Sequence, residues 1–162
     1  MEVIFVPQGG LKIKSKNTSF SVNPTGKFDS DVVVLTSKPA SYSAYDGKLV
    51  IDGPGDYEVA GVSIKGESLE GKLAFDFLED NQKLLVLPSS AAKDSETEDT
   101  TATVLLMDEK VDGALTSVVS EIIAVVGNEE FLPQDRATLK KMDKINLKKT
   151  EEYKGFVIHL AK

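Results

Sequence analysis

The chemistry open to this chain is narrowed by its residue types: one histidine, His159, and no cysteine in 162 residues. Without thiols there are no disulfides, thiolate metal sites or cysteine nucleophiles. A single imidazole cannot supply the ligand set of a catalytic transition metal. His159 lies inside the apolar run Phe156-Val157-Ile158-His159-Leu160 and reads as a packed strand residue. Carboxylates are more plentiful. Asp29, Asp31, Asp46, Asp52 and Asp56 are the chemical type that holds a hard divalent cation, but their spacing picks out no cage. Asp52, Asp56 and Glu58 could pair for general acid–base work; turn capping and a solvated strand face explain them more simply. Ser89-Ser90 offers hydroxyl nucleophiles with no histidine base beside them. Gln8-Gly9-Gly10 reads as a hairpin turn before a phosphate cradle. Tyr42, Tyr45 and Tyr57 either line a ligand cleft or pack at an edge. These residue types assign no catalytic, cofactor-binding or metal-binding residue.

Composition bounds the partners. A chain of 162 residues with 41% hydrophobic and 28% charged residues is expected to form one domain over 1–162 with its own core. The net charge of −7 and pI near 4.8 disfavour phosphate backbones and anionic lipid surfaces. No nucleic-acid or membrane role is expected. The basic cluster Lys140, Lys141, Lys144, Lys148 and Lys149 reads as the solvated end of a helix and a following turn, complementing the macrodipole. The N-terminal run Met1-Glu2-Val3-Ile4-Phe5-Val6-Pro7 lacks the basic region and the length of a signal peptide. No apolar stretch approaches the ~20 residues of a membrane helix. The expected location is cytoplasmic.

The elements that must position these groups are mostly strands. Leu11 to Lys16, Ser19 to Val22, Val62 to Lys65 and Leu73 to Phe77 alternate apolar and polar residues, as strands with one wet face do. Val32 to Leu35, Leu84 to Leu87, Val104 to Met107 and Ile122 to Val126 are apolar on both faces, as central covered strands must be. Helices are expected over 109–119 and, starting at Pro133, over 133–143. The stretch Pro88 to Thr101 is rich in serine, threonine and acid without a large apolar residue, which predicts a mobile loop with no anchor.

The run Val50-Ile51-Asp52-Gly53-Pro54-Gly55-Asp56-Tyr57-Glu58-Val59-Ala60-Gly61-Val62-Ser63-Ile64-Lys65-Gly66, with the order of elements around it, resembles the metallo-β-lactamase fold. The similarity is to the short prokaryotic zinc-dependent hydrolases of that fold and extends over most of the chain. It implies an α/β fold, an αββα sandwich of two mixed sheets, here strand-rich and with reduced helices. That family places the pattern His-x-His-x-Asp-His after the strand matched by Val32 to Leu35. Ser37, Pro39, Ser41 and Tyr42 stand in those places. Pro88 and Ser89 replace the family's glycine-aspartate, and Asn23 replaces an aspartate before proline. Serine and proline cannot hold a zinc ion that must keep an open position and acidify water. The resemblance therefore implies a scaffold without its metal motif: a non-catalytic protein, without cofactor, that acts through a protein partner or as a homodimer. Two other readings stay open, a small-molecule binding module using the vestigial cleft and a hydrolase with an unconventional metal site. The homodimer is expected because two short helices cannot cover the outer faces of both sheets.

Overall fold

The computed structural model describes residues 1–8, 10–110, 115–132 and 139–162. Within them the chain makes fourteen strands: β1 Glu2–Val6, β2 Gly10–Lys14, β3 Ser19–Val22, β4 Val32–Val34, β5 Leu49–Ile51, β6 Gly55–Val59, β7 Val62–Leu69, β8 Lys72–Glu79, β9 Gln82–Pro88, β10 Thr100–Met107, β11 Ser120–Gly127, β12 Leu139–Met142, β13 Lys144–Asn146 and β14 Val157–Leu160. Six of them form one sheet in the order β13-β1-β2-β3-β4-β5, and eight form the other in the order β12-β14-β11-β10-β9-β8-β7-β6.

Two-residue periodicity builds the space between the sheets. From the first sheet Val3, Leu11, Ile13, Phe20, Val22, Val32 and Val34 point inward; Ile64, Phe75, Phe77, Leu84, Val86 and Val104 meet them from the second. Phe20 and Phe77 touch across this interface edge to face, with ring centroids 5.5 Å apart at 63°. The polar partners of the alternating strands, such as Lys12, Lys14, Ser63 and Lys65, take the other face.

The strands expected to be apolar on both faces are the parallel core of the second sheet. β9, β10, β11 and β14 run parallel in adjacent pairs. Their outward residues Leu85, Leu87, Leu105, Met107 and Val125 form a second buried cluster on the outer face. Among the described residues there is no α-helix, and the covering layer consists of 3-10 turns at Ser89–Asp94, Leu115–Ser117 and Glu129–Phe131. Ala91, Ala92, Val118 and Leu132 bring apolar surface onto the cluster from these turns or beside them.

This corrects three expectations. The helix expected at 133–143 is a strand over its described part, Leu139–Met142, hydrogen-bonded in parallel to β14; residues 133–138 lie outside the described residues. Of the helix expected at 109–119, residues 111–114 lie outside them and Leu115–Ser117 is a 3-10 turn. Lys140, Lys141 and Lys144 consequently sit on strands rather than at a helix end. The stretch 88–101 does have an anchor, made of small residues: Ser89, Ala91, Ala92 and Thr97 are buried, and Thr97 Oγ1 accepts from the Val119 amide at 2.7 Å. Methyl and hydroxymethyl groups suffice there because the turn lies flat on the outer cluster. Gly9 of the expected hairpin turn lies outside the described residues; its neighbours Gln8 and Gly10 both have positive φ, 61° and 69°.

Candidate functional site

β3 and β4 of the first sheet, and β9 and β10 of the second, end at the same rim of the sandwich, where the first turns of the following loops meet. In open α/β sheets this carboxyl-end rim is where ligands bind. The loop after β4 starts at Thr36, which the Asn23 side chain grips twice: Asn23 Nδ2 donates to Thr36 Oγ1 at 2.9 Å, and the Thr36 amide donates to Asn23 Oδ1 at 3.0 Å. Asn23 is in the left-handed region at φ 47°, which Asn tolerates better than most residues. The Thr36 carbonyl accepts from the Leu73 amide at 3.2 Å and so ties the loop to the start of β8 in the opposite sheet. A cleft of about 370 Å³ lies here, lined by residues including Ser37, Lys38, Asp52, Pro54 and Leu73.

Two carboxylates at this rim, Asp52 and Asp108, are already engaged. The Tyr42 hydroxyl donates to Asp52 Oδ2, and this hydrogen bond raises the Tyr42 pKa. Lys72, flanked by the cleft residues Gly71 and Leu73, donates to Asp108 Oδ2. Asp108 also accepts from the Ser90 hydroxyl at 2.8 Å and the Ser90 amide at 3.2 Å. Buried Ser89 places its hydroxyl 2.9 Å from Asp108 Oδ1 and 3.1 Å from the Glu109 carbonyl, two acceptors for one proton. Burial pushes the Asp108 carboxyl up, but the donors Lys72, Ser90 and Ser89 outweigh it and hold the group down at about 2.

This arrangement has a consequence for acid stability. The folded pKa of about 2 is below the ordinary value of 3.8, so the stabilisation is present above pH ~4 and lost as pH falls toward 2. Asp108 is partly exposed, and after allowing for solvent screening its share is on the order of 1 kcal/mol. An Asp108→Asn variant is expected to lose about that much at pH 7, with the gap to the parent narrowing below pH ~4 and closing only as pH falls through about 2 in urea denaturation series. A gap constant over that range would show that the carboxylate charge is not what stabilises the rim.

The structure scatters most of the sequence candidates. Ser37 and Lys38 line the cleft, and Ser41 and Tyr42 lie on the exposed loop beside it, where the Ser41 hydroxyl bonds Ser43 at 3.0 Å. Asp29 is paired with Lys12 at 2.8 Å and Asp31 with Lys48 at 3.6 Å, both on the outer side of the first sheet. Asp56 and Glu58 lie on the outer face of the second sheet, in a groove of about 530 Å³ with Lys65, Asp76 and Lys83. There Asp76 is partly buried, its pKa is raised chiefly by that burial, and its Oδ1 has no hydrogen-bond partner. The three tyrosines do not converge: Tyr42 holds Asp52, Tyr57 donates to the Gly53 carbonyl at 2.8 Å, and Tyr45 packs on Phe28 with centroids 6.1 Å apart. His159 is buried in β14 in register with Lys141, and its pKa is lowered chiefly by that burial. Among the described residues no three His, Cys, Asp or Glu side chains come together as a metal-holding group.

Sequence reasoning missed Lys72 and Asp108. The available signal was Asp108 itself, an acid directly after the apolar strand Val104 to Met107, where a parallel strand delivers its next side chain to the rim.

No protein-family model matches the sequence, and no curated protein matches it either. Among solved structures, one from Thermotoga maritima assigned to the zinc-dependent hydrolases of the metallo-β-lactamase superfamily superposes with a TM-score of 0.62 at 15% identity. The alignment covers 98% of this chain and 98% of that one. At that identity the likeness is one of architecture, and it agrees with the two face-to-face mixed sheets: this chain has the metallo-β-lactamase fold, in a strand-rich form whose described outer layer is 3-10 turns.

Proposed function

We propose that this chain is a non-catalytic protein of the metallo-β-lactamase fold that acts by binding, its partner another protein or a second copy of itself. The observation that carries the reading is the state of the rim. The positions matched to metal ligands hold Ser37, Pro39, Ser41, Tyr42 and Ser89. The nearby carboxylates, Asp52 and Asp108, are bound to Tyr42 and to Lys72, Ser89 and Ser90. A cation entering there would have to displace the Lys72 ammonium and strip those hydrogen bonds, and no imidazole is at hand to complete its shell. The hydrogen bonds between Asn23, Thr36 and Leu73 join the two sheets at the place where metal ligands would otherwise join them.

The test is elemental analysis of protein purified without chelators. Less than about a tenth of a zinc, manganese or iron ion per chain is expected, since ~1 per chain would be a stoichiometric site. One tightly bound ion, or a hydrolytic activity that a chelator abolishes, would overturn the reading.

One observation favours a small-molecule role as the second reading. The 370 Å³ cleft is within the size range of ligand pockets and carries the Lys38 and Ser37 side chains on its wall. A melting shift of several degrees with a small anion or metabolite, lost in a Lys38→Ala Ser37→Ala variant, would move the assignment there.

A further inference from the structure

Each lateral end of the sandwich is closed by one continuous stretch of chain that passes from one sheet to the other. At one end residues 49–59 leave the six-stranded sheet as β5 and enter the eight-stranded sheet as β6; at the other, residues 139–149 run as β12 and then as β13. All four are terminal strands of their sheets among the described residues. The two ends are oppositely charged. Residues 49–59 carry Asp52, Asp56 and Glu58 and no base, a net of −3. Residues 139–149 carry five lysines less one aspartate, a net of +4, in a chain whose total is −7. Internal pairing uses part of this charge, since Lys144 reaches Glu2 at 3.3 Å and Lys149 reaches Glu152 at 3.0 Å. Lys140, Lys141, Asp56 and Glu58 have no ion pair among the described residues. Each end also exposes an apolar side chain: Leu49 at the acidic end, and at the basic end Phe156, whose ring lies 5.2 Å below the Lys140 ammonium.

We propose that the chain assembles head to tail through these ends, the acidic β6 edge of one copy pairing with the basic β12 edge of the next and continuing the eight-stranded sheet. The proposal rests on the reading of this chain as a binding protein and names the surface and the partner, a second copy. Charge decides the mode. Two β6 edges would set Asp56 and Glu58 against their own copies, and two β12 edges would set lysine against lysine, the arrangement that blocks edge-to-edge pairing. Only the unlike pairing is attractive. Leu139 shares the outer face with Lys141, because it packs on the outer cluster; Asp56 and Glu58 are on that same face at the other end. A continued sheet therefore brings Lys141 alongside them at cross-strand neighbour distance. Such a contact is heterologous, so it forms a ring or an open chain rather than a closed pair.

Sedimentation of the full chain over a micromolar to millimolar series tests this. Mass is expected to rise past two copies at about 0.1 M salt and to fall back at about 1 M, where the screening length drops from about 10 Å to about 3 Å. The double variants Lys140→Glu Lys141→Glu and Asp56→Lys Glu58→Lys are each expected to sediment as monomers. Mixed in equal amounts they should assemble past two copies again in alternation, because the reversed β12 edge of one is now acidic and the reversed β6 edge of the other basic, so both contacts pair unlike charges. A parent that stays monomeric throughout, a pair that closes at two copies and survives either double substitution, or association that strengthens with salt would each overturn the proposal. The salt series on the parent decides the matter even if a variant folds poorly. A monomeric parent leaves the non-catalytic reading untouched, and bound zinc would sink that reading without altering the mass series.

Discussion

Replacing Phe77 by alanine is expected to cost about 3–5 kcal/mol, enough to leave a domain of ordinary stability largely unfolded under mild heating. Phe77 is fully buried at the centre of β8, and its ring meets Phe20 of the other sheet edge to face at 5.5 Å. The substitution removes apolar area and an aromatic pair from the one interface that joins the sheets. The walls of the resulting cavity are β-strands held by ladders on both sides, so they cannot collapse far. Urea denaturation of Phe77→Ala and of Leu78→Ala makes the comparison direct. Leu78 is the next residue, points outward and is 45% exposed, so its truncation should cost less than ~1 kcal/mol. Equal losses in the two variants would mean that the sheets are not held together at this point.

Gly66→Ala is expected to cost about 1–3 kcal/mol, because one added methyl group has nowhere to go. A Cβ at residue 66 would lie 2.7 Å from the Gly53 carbonyl oxygen and 2.9 Å from the ring of Phe75. The first contact is backbone, and that carbonyl already accepts the Tyr57 hydroxyl at 2.8 Å. The second is a fully buried ring in the main core. Either the Asp52-Gly53-Pro54 turn moves out and opens the cleft, or Phe75 shifts within a close-packed interior. A melting curve of Gly66→Ala against Ser63→Ala, three positions earlier on the exposed face of the same strand, gives the measure. Unchanged melting for Gly66→Ala would show that the 52–54 turn is free to move.

Much of the strand pattern was legible because side chains on a strand alternate with period 2. Ser19–Val22 and the cores of β2, β7, β8, β9, β10 and β11 could be read from apolar spacing alone. Segments apolar on both faces pointed to covered strands, and β9, β10 and β11 are the parallel centre of their sheet. The helix expected over 133–143 is a strand over its described part, Leu139–Met142, for a physical reason. Leu139-Lys140-Lys141-Met142 has good helix formers and no strand signature. Its conformation is set by β14, which offers a free ladder and sends Leu139 to the outer cluster and Met142 to the main core. Local propensity is worth a few tenths of a kcal/mol per residue and yields to such partners. The outer cover was misjudged in the same way. Alanines 91 and 92 look too small to anchor a layer, but they need only fill a shallow surface already built by Leu85, Leu87 and Leu105.

What the sequence determined by itself is which residue types stand where the resemblance places metal ligands: Ser37, Pro39, Ser41, Tyr42 and Ser89, none of them an imidazole or a carboxylate. It also determined the two-sided apolar strands, because periodicity is local. Only the tertiary structure decided what occupies the rim instead. Lys72 and Asp108 are 36 residues apart and Ser89 and Asp108 are 19 apart, and no local signal links them. They meet because β8 and β10 flank β9 and deliver one strand's beginning beside two strands' ends. The opposite charges of 49–59 and 139–149 were likewise written in the sequence, but that they close opposite ends of one sandwich follows from strand order, which long-range pairing alone sets.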